Sequence, residues 1–208
     1  LIPAKQWIAD VNQRLDTEPH ILLYASTGSG KSVTLQAILA NRDTDYLIVD
    51  VKAKPDKYGN GVSGLGRDDD LSVATIEQAL TAVLVELKAR QRAYSQGDTD
   101  FKPLTVILEE VHILNGESKL ASEVLKSILA IGREIRVYVI AVTQSNRIAS
   151  TGLKGSNDLL DCTSQFRLGK LGIQHVKQQG LDYHPHPFLC FAQLADGTLA
   201  QYDVRDIK

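Results

Sequence analysis

Between the apolar run Ile21-Leu22-Leu23-Tyr24 and a segment whose apolar residues Val33, Leu35, Ile38 and Leu39 recur at helical spacing stands the octamer Ala25-Ser26-Thr27-Gly28-Ser29-Gly30-Lys31-Ser32. A strand, a glycine-rich turn and a helix opening on Lys-Ser form the context that a phosphate-binding loop requires. Glycines let the backbone wrap until its N–H groups point inward, and the helix N-terminus adds the positive end of its dipole at the same place. Lys31 can then reach the β- and γ-phosphates of a nucleotide, and the Ser32 hydroxyl can ligate the Mg²⁺ that travels with them. Thr27, Gly28, Ser29, Gly30, Lys31, Ser32 and Val33 are the candidate nucleotide contacts. The strict pattern opens on glycine; Ala25 stands there instead and needs a negative φ. The competing reading, a Gly-Ser turn before an ordinary helix, is weakened by the strand-turn-helix context.

The rest of the chain alternates in the same way. Pro19-His20 opens the first strand. Tyr46 to Asp50 and Leu104 to Leu108 are continuous apolar runs of the kind that buried parallel strands show, and Ile135 to Val142 is a further β-rich run. Ile76, Leu80, Val83, Leu84 and Leu87 predict a long helix to about Tyr94; Leu120, Val124, Leu125, Ile128 and Leu129 predict another. Lys54 to Asp70 reads as a loop, Ser145 to Asp161 as a polar linker, and a short strand is expected around Phe166. Phe188 to Leu194 and Leu199 to Val204 flank Asp196-Gly197, the strongest hairpin signal in the chain. Trp7, Ile8, Val11 and Leu15 fit one face of a flanking element over residues 1–18. The expectation is one α/β domain over residues 1–208: a mainly parallel sheet with helices on both faces, ending in an antiparallel hairpin over 187–204.

Composition narrows the class. Hydrophobic content of 43% and charged content of 23% are ordinary for a soluble globular protein. No apolar run approaches the ~20 residues that span a bilayer. No basic-then-apolar leader is visible, so a cytoplasmic protein is expected. The chain opens at Leu1 rather than Met, the expectation for a domain cut from a longer protein. Cys162 and Cys190 lie far apart, which predicts two reduced, buried thiols rather than a disulfide. A net charge of −2 argues against a module that coats nucleic acid with its whole surface. It leaves room for a ring whose subunits each touch phosphate through a few basic side chains.

A phosphate loop holds nucleotide; hydrolysis also needs a carboxylate for Mg²⁺ and a means of orienting water. Glu109-Glu110 ends a buried apolar strand, where parallel sheets present their ligand sites. Successive strand residues point to opposite faces, but at a strand end both carboxylates can turn towards one site. Glu109 is assigned to the metal shell and Glu110 to polarising water; in a chain without a phosphate loop a solvated acidic pair would be the better reading. Thr143-Gln144, at the tip of the next strand, are candidate γ-phosphate sensors, a Gln amide being able to donate to a phosphate oxygen.

Taken together these residues resemble the FtsK/HerA family of hexameric DNA-pumping ATPases, and specifically the FtsK motor core. Pro19-His20-Ile21-Leu22 running into Ser26 to Val33 is similar to that family's phosphate-loop region. Asp50-Val51-Lys52 is similar to its Asp-Pro-Lys, and Leu84-Val85-Glu86 through Arg90 to Arg92-Ala93-Tyr94 to its Glu-rich helix. Arg133-Glu134-Ile135-Arg136 to Ala141-Val142-Thr143-Gln144 is similar to its Arg-led approach to the Ala-Thr-Gln strand. Thr151-Gly152-Leu153-Lys154, Asn157 and the Asp196-Gly197-Thr198 hairpin match further. The resemblance implies a RecA-like (ASCE) P-loop NTPase that hydrolyses ATP with Mg²⁺, a homohexameric ring and duplex DNA in its channel, with loading factors or further domains outside this chain. It also implies an arginine donated by a neighbouring subunit, for which Arg133 is the first candidate and Arg136 the second. Glu109 stands where the family has Asp, and its extra methylene moves the carboxylate by roughly 1.5 Å. Ser145-Asn146-Arg147 replaces the family's Arg-Pro, so no arginine role passes to Ser145. The loop between Glu110 and Leu120 reads as short. Lys119, Lys126 and Lys154 are candidate DNA-phosphate contacts, each with a solvated side chain as the plainer reading. His112 is expected to be structural, and His184-Pro185-His186-Pro187 a rigid turn rather than a metal site. Two other functions stay open: a motor acting on protein, which the acidic balance favours, and a nucleotide-binding switch with weak catalysis, which Glu109 favours.

Overall fold

The computed structural model describes residues 19–58, 64–145, 147–183, 186 and 188–205, together with positions 6, 9 and 12, with backbone alone at 148, 149 and 157. The proposed flanking element over 1–18 and most of the His-Pro segment therefore lie outside the described residues.

Seven strands form one sheet: β1 (His20–Ala25), β2 (Asp45–Asp50), β3 (Leu104–Glu109), β4 (Val137–Thr143), β5 (Thr163–Leu168), β6 (Leu189–Gln193) and β7 (Leu199–Asp203). Their order is β2-β3-β4-β1-β5-β6-β7. The first five run parallel, and β6 and β7 continue the sheet antiparallel, closed by the predicted Asp196-Gly197 turn. Helices α1 (Lys31–Asn41), α2 (Ala74–Ser95), α3 (Val111–Glu117), α4 (Lys119–Ile131) and α5 (Lys170–Gln178) accompany the sheet.

The central strands are buried along their whole length because both faces are covered. On one face Ile21, Leu23, Ile48, Ile107, Ile140 and Val142 meet Leu35 and Ile38 of α1. On the other, Leu22, Tyr24, Val49, Val106, Leu108 and Ala141 meet the apolar stripes of α2 and α4. The α2 stripe (Ile76, Ala79, Leu80, Val83, Leu84, Leu87) follows the i, i+3, i+4 rule. Burying each of its larger members stabilises the fold by about 1.5–3 kcal/mol. An arginine, Arg167, is buried over the Tyr24 ring at 4.7 Å, where cation–π attraction and a bond to Gln165 offset its desolvation.

Several expectations are corrected. The segment after Glu110 is not a short loop but α3, seven residues long. The linker after β4 carries two 3₁₀ turns, Ile148–Thr151 and Asn157–Cys162. Helix α5 goes unpredicted because its three large apolar residues, Leu171, Ile173 and Val176, make only a short stripe; it packs on β5 so tightly that a Cβ on Gly172 would lie 2.5 Å from the Arg167 carbonyl. Strand β4 begins at Val137 because Arg136 takes φ 54°, which breaks the extended run. Val33, a candidate nucleotide contact, is exposed in the first turn of α1. Cys190 is buried as expected but Cys162 is exposed, and both are free.

Candidate active site

The parallel order places the ends of β1, β4, β3 and β2 side by side, and every group described next sits on that edge. After β1 the chain turns with φ 78° at Gly28 and 86° at Gly30. A Cβ at either would meet nothing within 4 Å, so glycine is required there by backbone conformation and not by space. The buried Ser29 closes the turn, its amide and hydroxyl donating to the Ser26 carbonyl at 3.2 and 2.7 Å. Ala25, the departure from the strict pattern, remains inside β1 and outside the positive-φ residues. Gly30 then caps α1, its carbonyl accepting from Thr34 N–H at 2.9 Å. Lys31 and Ser32 occupy the helix's first turn, where unpaired N–H groups and the dipole favour an anion.

Lys31 Nζ lies 2.7 Å from Glu109 Oε1 and 2.9 Å from Glu110 Oε1. Glu109 faces α1 by strand alternation, in step with Ile107. Glu110 would face the opposite side had β3 continued. Instead it adopts φ 56°, ψ 44°, a left-handed conformation that costs a non-glycine residue roughly 1–3 kcal/mol and that brings its carboxylate round to Lys31. Strain of this kind held at a site edge marks a position where the side chain's direction matters more than local stability. Burial opposes the charge on Lys31, but Glu109 and Glu110 outweigh it and hold the ammonium pKa above its usual value. Burial likewise pushes Glu110 up, and Lys31, Gln144 and Lys52 more than reverse this, so it titrates below the ordinary carboxylate range.

Gln144 follows β4, which runs between β1 and β3, so its amide falls between the phosphate loop and the acidic pair. It donates through Nε2 to Glu110 Oε1 and accepts through Oε1 from the Thr27 hydroxyl at 3.3 Å. Thr143 is buried and accepts from Ser145 N–H at 3.3 Å. His112 Nδ1 stands 3.6 Å from Glu110 Oε2.

Sequence reasoning missed three groups. Lys52, noted only in a motif match, approaches Glu110 Oε1 at 3.4 Å. Lys57 and Tyr58, in the loop after β2, contact Asp50 and Glu109. Nothing in a polar, glycine-rich stretch singles these residues out; the one available signal is a tyrosine that such a loop has no reason to carry. Arg133 is not brought to this edge. It follows α4 at the opposite end of the strands, and with His20 at the start of β1 it lines a cavity of about 630 Å³. Arg136 is likewise on the approach to β4, donating to the Phe101 carbonyl at 3.3 Å. Lys119 and Lys154 are exposed and Lys126 half-buried.

The donor set fits a nucleotide phosphate with Mg²⁺. The loop offers a helix N-terminus, a lysine and the Ser32 hydroxyl, and Glu110 Oε2 is buried with no hydrogen-bond partner among the described residues. No cluster of three or more His, Cys, Asp or Glu that could hold a metal occurs among the described residues. Mg²⁺ does not need one: it keeps several waters and is bound through one or two carboxylates plus substrate phosphates. Ser32 and Glu109 could supply the protein's share.

The fold is that of the RecA-like P-loop ATPases, as the sequence resemblance implied. Solved structures of FtsK/HerA-type ATPases share it. The cytoplasmic domain of the type VII secretion ATPase EccC from Thermomonospora curvata is similar over 89% of this chain and 25% of its own length, at 18% identity and a TM-score of 0.67. The pCW3 conjugation coupling protein TcpA, in its monomer form with ATPγS, is similar over 92% of this chain and 62% of its own, at 16% identity and a TM-score of 0.68. The cytoplasmic domain of EssC matches over 91% of this chain and 40% of its own, at 14% identity and a TM-score of 0.58. This chain thus spans less than two thirds of each. No protein-family model matches the sequence, and no curated protein matches it. Among the described residues no helix is long and apolar enough to cross a membrane.

Proposed function

We propose that residues 1–208 are a single motor domain of an ATPase that couples hydrolysis of Mg-ATP to movement of duplex DNA through a ring of identical subunits in the cytoplasm. The observation that carries this reading is the convergence of Lys31, Glu109, Glu110 and Gln144 on one sheet edge beside the phosphate loop. Thr27 to Val33 hold the phosphates through backbone N–H groups, the Lys31 ammonium and the helix dipole. Mg²⁺, when bound, neutralises charge on the phosphate oxygens. Ser32 and Glu109 would hold it in place, and Glu110 would orient and polarise the attacking water. Gln144, bonded to both Thr27 and Glu110, senses the state of the γ-phosphate and passes it along β4. Arg133 lies too far along the strands to serve its own subunit's site, so its proposed place is the site of a neighbour. The likeness to TcpA, a conjugation coupling protein, supports a nucleic-acid cargo.

A second reading, a motor acting on protein, is favoured by the net charge of −2 and by the likeness to EccC, a secretion ATPase. Steady-state ATPase assays with duplex DNA at 50 and 200 mM salt separate the two. DNA stimulation that fades steeply with salt supports the first reading, since phosphate contacts lose about 10³–10⁵ in affinity over such a range. Hydrolysis by an assembled ring that DNA never alters sinks it and leaves the second.

A further inference from the structure

Asp50 and Glu109 are register partners at the ends of β2 and β3, so their carboxylates leave the same face, and both are 0% exposed. The loop after β2 covers them. The Tyr58 hydroxyl lies 2.8 Å from Asp50 Oδ2 and 2.8 Å from Glu109 Oε2. Lys57 Nζ lies 2.5 Å from Asp50 Oδ2 and 3.4 Å from Glu109 Oε1. This contact is built into the fold. The Tyr58 ring is part of the apolar cluster that includes Ile48 and Ile107, and Gly64 leaves the ring its space, since a Cβ there would stand 3.3 Å away. Gln36 of α1 donates to the Lys57 carbonyl at 3.4 Å, tying the loop to the phosphate-loop helix.

Lys31 is shared between Glu109 and Glu110. A triphosphate requires the same ammonium, so Glu109 must keep its place with one counter-charge fewer. A buried carboxylate stripped of its partner is strongly destabilised and would swing out of place. We propose that Lys57 and Tyr58 are positioning residues for Glu109, holding its carboxylate at the end of β3 for Mg²⁺ when Lys31 turns to the phosphates. Tyr58 takes Oε2, while Oε1, which Lys31 holds at 2.7 Å and Lys57 only at the longer 3.4 Å, is the oxygen on the phosphate-loop side and so the one to face the metal. Asp50 anchors Lys57 at 2.5 Å, which frees the single Tyr58 proton for Glu109, and Asp50 needs no contact with metal itself.

The proposal rests on the ATPase reading, and binding measurements separate the two. ATPγS binding is followed by calorimetry over a Mg²⁺ series and in EDTA, for the native chain, Tyr58→Phe, Lys57→Met and Lys31→Met. Tyr58→Phe keeps the buried ring and removes only the hydroxyl. It should raise the Mg²⁺ concentration for half-maximal binding about tenfold, as loss of outer-shell partners does, and leave affinity in EDTA unchanged. Lys57→Met should act in the same direction. Lys31→Met should weaken binding with and without Mg²⁺. Midpoints within twofold of native for both clamp variants, beside a weakened Lys31→Met, overturn the clamp and leave the ATPase reading standing. Equal losses with and without Mg²⁺ in Tyr58→Phe show a merely structural role and also overturn it. A native chain that binds no nucleotide overturns both.

Discussion

Lys31→Met tests the charge balance on which the site stands. Methionine keeps the apolar stem and removes the ammonium that lies 2.7 Å from Glu109 and 2.9 Å from Glu110. The carboxylates that remain are buried, at 0% and 2% exposure. Removing one partner of a buried ion pair costs about 3–5 kcal/mol. Glu109 keeps Lys57 at 3.4 Å, and Glu110 keeps Lys52 at 3.4 Å and Gln144. The lower end, about 3 kcal/mol at pH 8, is therefore expected. That cost should shrink on acidification. In the native chain the folded pKa of Glu110 is depressed, so its contribution is present above the unfolded-state value and lost as pH falls through the folded one. Without Lys31 the sign reverses: the folded pKa rises above the unfolded value, and the penalty, full at high pH, fades as the carboxylate takes up a proton. Near pH 5 the difference from native should be smaller than at pH 8. Urea unfolding of both chains at pH 8 and pH 5 measures it, and Lys31→Met/Glu110→Gln should recover much of the loss at pH 8. A penalty below about 0.5 kcal/mol at pH 8, or one that does not change with pH, would mean that solvent and not Lys31 stabilises the carboxylates, refuting the reasoning.

Three other outcomes are expected. Glu110→Gln should retain ATPγS affinity but lower turnover by about 10²–10⁴, as loss of a general base does; unchanged single-turnover hydrolysis would remove Glu110 from the chemistry. Gly30→Ala should cost about 1–2 kcal/mol in chemical unfolding, because its φ of 86° rather than any neighbour demands glycine. His20 is held neutral by burial first and by Arg42 and Arg133 second, its pKa lowered to about 3. The unfolded chain binds a proton below about pH 6.5 that the folded chain refuses, so stability should fall by about 1.4 kcal/mol per pH unit from there towards pH 3, a slope that His20→Gln should lose.

Much of this molecule was legible one segment at a time. The phosphate loop, the buried parallel strands, the amphipathic stripes of α2 and α4 and the Asp196-Gly197 hairpin are written in local pattern. Their causes are local too: glycine's access to positive φ, the period of apolar residues, and the twist of a two-stranded turn. Tertiary structure decided the rest. Strand order β3-β4-β1 is what sets Gln144 between Thr27 and Glu110, and it leaves Arg133 at the far end of the strands. The left-handed Glu110 is held by the strand before it and the helix after it, and its own sequence neighbourhood gives no hint of that conformation. Lys57 and Tyr58 reach Glu109 across 52 and 51 residues of chain, because β2 and β3 pair in register and the loop folds back over their ends. Pairing of distant strands is settled by the packing of the whole sheet, and a buried charge finds its counter-ion only once that packing exists.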